Sequence, residues 1–95
     1  MKVAELGVGD LVHLHRYGRR TGHPLAVAQV IRSTELTGDP TGVDAVLLAT
    51  VEHLPAGYLL WVEDTDEWER LDPASWTPEI CAIVARWHLI QGCSK

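Results

Sequence analysis

Val43-Asp44-Ala45-Val46-Leu47-Leu48-Ala49-Thr50-Val51 is the stretch that decides the fold class of this chain, because its side chains alternate with a period of two. Every second residue from Val43 to Val51 is apolar, and the alternates include Asp44 and Thr50. Successive side chains of a β-strand point to opposite faces of a sheet. The pattern therefore predicts a strand with one buried face and a second, partly covered face.

The same period recurs on both sides of this strand, between segments rich in Gly, Pro and Asp that are typical of turns. The clearest turn is Thr37-Gly38-Asp39-Pro40-Thr41-Gly42. Five strands are predicted, over residues 10–16, 25–34, 43–51, 58–63 and 68–71. We expect a mainly β fold, in which a meander of five short strands forms a curled sheet or an SH3-like open barrel.

The periodicity changes to that of a helix after Thr77. Pro78 stands at the first helical position behind a Thr cap, and Gly92 is placed as a C-cap. Apolar residues at helical spacing follow the cap: Ile80, Ile83, Val84, Trp87 and Ile90. We expect a C-terminal helix over residues 78–91 that closes the open end of the sheet. The alternative is a last strand, because the run is rich in β-branched residues.

The fourth and fifth strands are predicted to form a hairpin with an acidic tip. Its favoured register places Glu63 opposite Trp68 and Trp61 opposite Arg70, because a shift by one residue would set Glu63 against Glu69. Tryptophan and arginine are typical anchors of protein interfaces.

The main functional hypothesis is therefore a non-enzymatic interaction module that binds a protein partner through this acidic hairpin. Its predicted partner-binding residues are Trp61, Glu63, Asp66, Trp68 and Arg70. The alternative for the tryptophans is a structural role, in which Trp61 and Trp68 pack under the helix with Trp76 and Trp87.

A glycine-containing basic loop after the first strand supports a second hypothesis. Arg16, Tyr17, Arg19 and Arg20 offer guanidinium groups and an aromatic ring, which can bind a phosphate or stack on a base. They are candidate anion-binding residues of a nucleic-acid-associated accessory protein. The alternative is a solvated turn whose charges serve solubility.

The first predicted hairpin carries a resemblance to a known group of domains. Gly9-Asp10-Leu11-Val12-His13-Leu14, the basic loop through Gly22, and residues 25–31 resemble the first hairpin of small β-barrels of the KOW and Tudor type. The resemblance covers about a quarter of the chain. It implies a binding module rather than an enzyme.

The charge distribution favours a protein partner over nucleic acid. The formal net charge is −5, and residues 33–79 carry eleven acidic residues against Arg70 alone. Such asymmetry can mark a binding surface. An acidic chain is a poor general ligand for a phosphate backbone, because affinity for that backbone comes from neutralising its phosphates.

Two histidines support a third hypothesis, a small metal-dependent enzyme. His13 and His15 lie on one face of the first strand, a spacing that can supply two metal ligands. This His-x-His pattern resembles that of cupins, but the glutamate expected shortly afterwards is absent and Arg16 and Arg19 would oppose a cation. We expect no catalytic residue, no metal site and no cofactor, and no enzymatic motif is present.

Length and composition bound the remaining expectations. With 95 residues, 46% of them hydrophobic, we expect one small globular domain over residues 1–95. No apolar run suits a membrane span or a secretory signal, so we expect a cytoplasmic protein that does not bind membranes. The composition bias favours a bacterial or phage origin.

The two cysteines are not expected to pair. Cys81 is expected in the core and, on a helix, too far from Cys93 to form a disulfide. The oligomeric state stays open.

Overall fold

The structure, a computed structural model, describes residues 2–14, 26–51, 54–65 and 68–93. One antiparallel sheet contains the five strands β1 (Leu11–Leu14), β2 (Val27–Arg32), β3 (Gly42–Leu47), β4 (Leu59–Glu63) and β5 (Trp68–Leu71). The helices are α1 (Thr34–Thr37), between β2 and β3, and α2 (Pro78–Cys93), with short 3-10 turns at Val3–Glu5 and Pro73–Ser75. The mainly β fold with a C-terminal helix is confirmed, and the alternative of a last strand is wrong.

The order of the strands departs from a simple meander. It runs β4-β3-β2-β1-β5, so the last strand returns to pair with the first. Val12 stands opposite Arg70 and Leu14 opposite Trp68. The predicted pairing of the fourth and fifth strands, with Glu63 opposite Trp68 and Trp61 opposite Arg70, is therefore wrong. Pairing with β1 lets β5 extend the curled sheet, and the result is a half-barrel.

The interior of the half-barrel is the larger of two apolar cores. Val12 and Leu14 face it from β1, as their alternation predicts, and Leu60 and Val62 face it from β4. Trp68 also lies inside, with 7% of its surface exposed. Its indole Nε1 donates a hydrogen bond to the carbonyl oxygen of Glu63, at 3.1 Å. This bond links the two strands at opposite ends of the strand order.

The second core lies between the outer face of the sheet and α2. Leu11 and Val27, the outward residues of β1 and β2, pack there with Ile80 and Trp87 of the helix. The prediction that the helix closes the open end of the sheet is wrong, because α2 instead covers Leu11 and Val27 on the outer faces of β1 and β2. Cys81, predicted in the core, is exposed, since Ile80 and Trp87 define the face that α2 turns to the sheet.

The turns and caps follow the sequence signals. Thr77 Oγ1 accepts a hydrogen bond from the backbone N–H of Ile80, at 3.3 Å, and so caps α2. In the turn before β3, Gly38 adopts a left-handed conformation with a φ of 75°. The Thr41 hydroxyl and, with a smaller effect, the Thr41 backbone N–H donate hydrogen bonds to Asp39, and these bonds hold the pKa of Asp39 below its usual value.

No helix in the described ranges has the length and apolar character that a membrane crossing requires.

The interior position of Trp68 predicts the effect of its removal. Replacing a buried tryptophan by alanine costs about 3–5 kcal/mol, so we expect Trp68→Ala to lower the free energy of unfolding by that amount. Leu36→Ala is the control, because Leu36 is 67% exposed on α1 and its loss should cost less than about 0.5 kcal/mol. Urea unfolding measures both. Similar small losses in the two variants would contradict a buried Trp68.

Candidate functional site

The outer face of β4 exposes two large apolar side chains of the described sheet. Leu60 and Val62 point inward, so Leu59, Trp61 and Glu63 point outward and are exposed. These three residues are called the β4 surface below. The helix α2 does not cover them, because it packs over β1 and β2 near Leu11 and Val27. β4 also ends the strand order, so one of its edges has no ladder partner among the described strands.

Trp61 is exposed and yet held in place. Gly42 in β3 lies beneath its ring, since a Cβ atom at Gly42 would overlap the indole atoms Cε2, Cζ2 and Cη2. The indole Nε1 donates a hydrogen bond to Glu63 Oε1, at 3.0 Å. With 40% of its surface exposed, Trp61 therefore presents a ring whose orientation is set from below and from one side.

The surroundings of the Trp61 ring are acidic. Asp44 is its partner across the β3–β4 ladder, and Glu63 accepts its indole hydrogen bond. Asp44 forms an ion pair with Arg32, in which Oδ2 and Nη1 are 3.8 Å apart. The Arg32 side chain is 65% exposed, so this cation faces solvent. Asp64, directly after the strand, binds the backbone N–H of Val3 through Oδ1, at 2.7 Å.

The structure separates the residues that the hairpin hypothesis grouped together. Trp61 and Glu63 are neighbours on the outer face of β4, as expected. Trp68, which the hairpin hypothesis needs at the surface, lies in the interior and is 7% exposed. Arg70 lies on β5 at the other end of the strand order, 3.7 Å from Asp10. Asp66 lies outside the described residues.

Sequence analysis missed one member of the β4 surface, Leu59, and the residue beneath its tryptophan, Gly42. Leu59 is 58% exposed and shares the outer face with Trp61, which the period of two in residues 58–63 would have indicated. Gly42 was interpreted as part of a turn. Gly42 lies under the Trp61 ring only because β3 pairs with β4 in this register, and no local pattern in the sequence predicts that register.

The residues of the other two hypotheses are mostly outside the described ranges. Arg16, Tyr17, Arg19, Arg20 and His15 all lie there, so the nucleic-acid hypothesis stays a prediction. His13 is half-buried on the outer face of β1, where Val27 and Glu69 are its ladder partners. Within the described ranges, no group of three or more His, Cys, Asp or Glu residues is arranged to hold a metal ion.

Comparisons with protein-family models, with curated proteins and with solved structures returned no match. Any function must therefore be inferred from the geometry of the chain itself.

The contact between Trp61 and Gly42 predicts a strong dependence of one substitution on the other. Gly42→Ala should cost about 1–3 kcal/mol of unfolding free energy, because the added methyl group displaces the indole ring. The same change in a Trp61→Ala background should cost much less, since the ring is gone and the φ of Gly42 is not in the left-handed region.

A double-mutant cycle by urea unfolding measures this coupling, which we expect to reach about 1 kcal/mol or more. Equal costs of Gly42→Ala in the two backgrounds would mean that the Trp61 ring does not lie over Gly42.

Proposed function

We propose that this chain is a non-enzymatic binding module whose β4 surface recognises a protein segment that carries a basic side chain beside an apolar one. The observation that carries the proposal is Trp61, a tryptophan that is 40% exposed but fixed by Gly42 and Glu63. Trp61 and Glu63 belong to the partner-binding set inferred from the sequence. Trp68 and Arg70 are left out, because one is in the interior and the other is on β5.

Trp61 has the properties of an interface anchor. Tryptophan is enriched among the residues that dominate binding energy, because it buries a large area with few rotatable bonds. A ring that is already held in place loses little conformational entropy when a partner covers it. Leu59, exposed on the same face, extends the apolar area along the strand.

The charge around Trp61 favours a basic partner. Glu63 accepts the hydrogen bond of the indole, and Asp44, which pairs with Arg32, is the ladder partner of Trp61. Both lie within residues 33–79, which carry eleven acids and one arginine. An arginine or lysine above the indole gains a cation–π interaction and a charge-assisted hydrogen bond to Glu63. The same acidity repels the phosphates of nucleic acid.

The position of β4 favours a partner in extended conformation. One edge of this strand has no ladder partner among the described strands, and of its carbonyls that of Glu63 already accepts the Trp68 indole hydrogen bond. An extended peptide can add to the rest of such an edge through main-chain hydrogen bonds. Alternate side chains of that peptide would then lie on the outer face beside Trp61 and Leu59.

Selection from a random peptide library tests this proposal. We expect enrichment of segments with arginine or lysine next to an aliphatic or aromatic residue. For a selected peptide, Trp61→Ala should weaken binding by about 2 kcal/mol or more, roughly 30-fold in Kd. Glu63→Gln keeps the acceptor of the indole hydrogen bond and removes the charge, so it should weaken binding less and flatten the salt dependence. Leu36→Ala is the matched control and should change nothing.

Three results would contradict the proposal: selection of acidic peptides, equal binding by the Trp61→Ala variant, or the absence of any selected peptide. Binding to an oligonucleotide that is lost on neutralising Arg19 and Arg20, with a log-log salt slope of roughly −2 to −3, would favour the nucleic-acid hypothesis instead.

A further inference from the structure

The outward side of the helix α2 carries exposed apolar residues beside its charged ones. Ile80 and Trp87 face the sheet, but the opposite side carries Ala82, Ala85 and Leu89. Leu89 is 70% exposed and its neighbour Ile90 is 47% exposed. Contiguous exposed apolar residues on a surface helix mark a candidate interaction surface.

A groove beside α2 continues this apolar surface. It has a volume of about 370 Å³ and lies between the helix and the segments that precede and follow residues 52 and 53. The chain segments contribute Leu48, Ala49, Thr50 and Ala56 to its lining, and the helix contributes Glu79, Ala82, Ile83, Arg86 and Ile90. The groove is therefore mostly apolar, and the helix adds one acid, Glu79, and one base, Arg86, to its lining.

The acid and the base of this lining have a symmetric arrangement. Glu79 and Arg86 are seven residues apart, which is two helical turns or about 10 Å along the axis, so both lie on the groove side. Both are exposed, and neither forms an ion pair with another residue in the described ranges. The midpoint between them falls at Ala82 and Ile83, where the small Ala82 side chain leaves room.

We propose that α2 packs antiparallel against α2 of a second copy of this chain, across the groove. A two-fold axis near Ala82 sets Glu79 of each copy against Arg86 of the other, so that one surface complements itself with two ion pairs. The small Ala82 side chain permits the interaxial distance of about 8–10 Å that packed helices adopt. This interface does not involve the β4 surface and leaves it free for its partner.

Charge exchange tests the interface on the full chain by sedimentation velocity. We expect the unmodified protein to dimerise. Glu79→Arg alone and Arg86→Glu alone should each raise the dimer Kd at least about 10-fold, because each places like charges opposite one another at both ends of the interface. Glu35→Arg makes the same charge change on α1, away from α2, and should leave the dimer intact.

The decisive sample is an equimolar mixture of the two single variants. Each copy in a mixed dimer faces opposite charges at both positions, so the mixture should regain the affinity of the unmodified protein. The combined Glu79→Arg, Arg86→Glu variant should also dimerise by itself.

Circular dichroism checks that all variants are folded. The proposal is overturned if the unmodified protein is a monomer, including a monomer with a small apolar molecule bound in the groove. It is equally overturned if the single variants dimerise normally, or if the folded mixture stays monomeric.

Discussion

The pairing of β5 with β1 is the constraint on which the rest of this structure depends. Because the last strand returns to the first, the sheet curls and Trp68 enters its interior, where its indole reaches the Glu63 carbonyl at the far end of the strand order. β4 is left at the end of the sheet, with its outward residues uncovered. A hairpin between β4 and β5 would instead have set Trp61 and Arg70 side by side. The pairing of β5 with β1 thus decides that Trp68 is buried in the core and that Trp61 is exposed.

The two apolar layers explain why the exposed surfaces are where they are. Strands β1 and β2 carry apolar residues on both faces, so they pack against the interior core on one side and against α2, through Leu11 and Val27, on the other. Because α2 packs over β1 and β2, it lies away from β4. Val46 of β3 is half-buried and is the last residue towards β4 that packs beneath the helix. This packing also leaves the apolar residues on the outer side of α2 without cover from its own sheet. The β4 surface and the groove beside α2 are consequences of the same placement of the helix.

Much of the fold was predictable from local patterns, and the missing part is non-local. The period of two placed all five strands to within a few residues, and the Thr77-Pro78 cap with its helical spacing placed α2. The partner of β5 was not predictable in this way, because a short acidic tip favours a hairpin locally and only closure of the sheet favours β1. Of the proposed β4 surface, the sequence indicated Trp61 and Glu63 but not Leu59, nor Gly42 beneath the ring. It did not indicate the interior position of Trp68, since that position depends on the pairing of β5 with β1.

Fluorescence quenching of single-tryptophan variants tests most directly whether β5 returns to β1. The chain has four tryptophans, and replacing three of them by phenylalanine leaves either Trp61 or Trp68 as the only emitter. With β5 on β1, Trp61 should be quenched readily by acrylamide and emit at longer wavelength, whereas Trp68 should be shielded and emit at shorter wavelength. Equal quenching of the two, or easier quenching of Trp68, would contradict the half-barrel and restore the hairpin between β4 and β5.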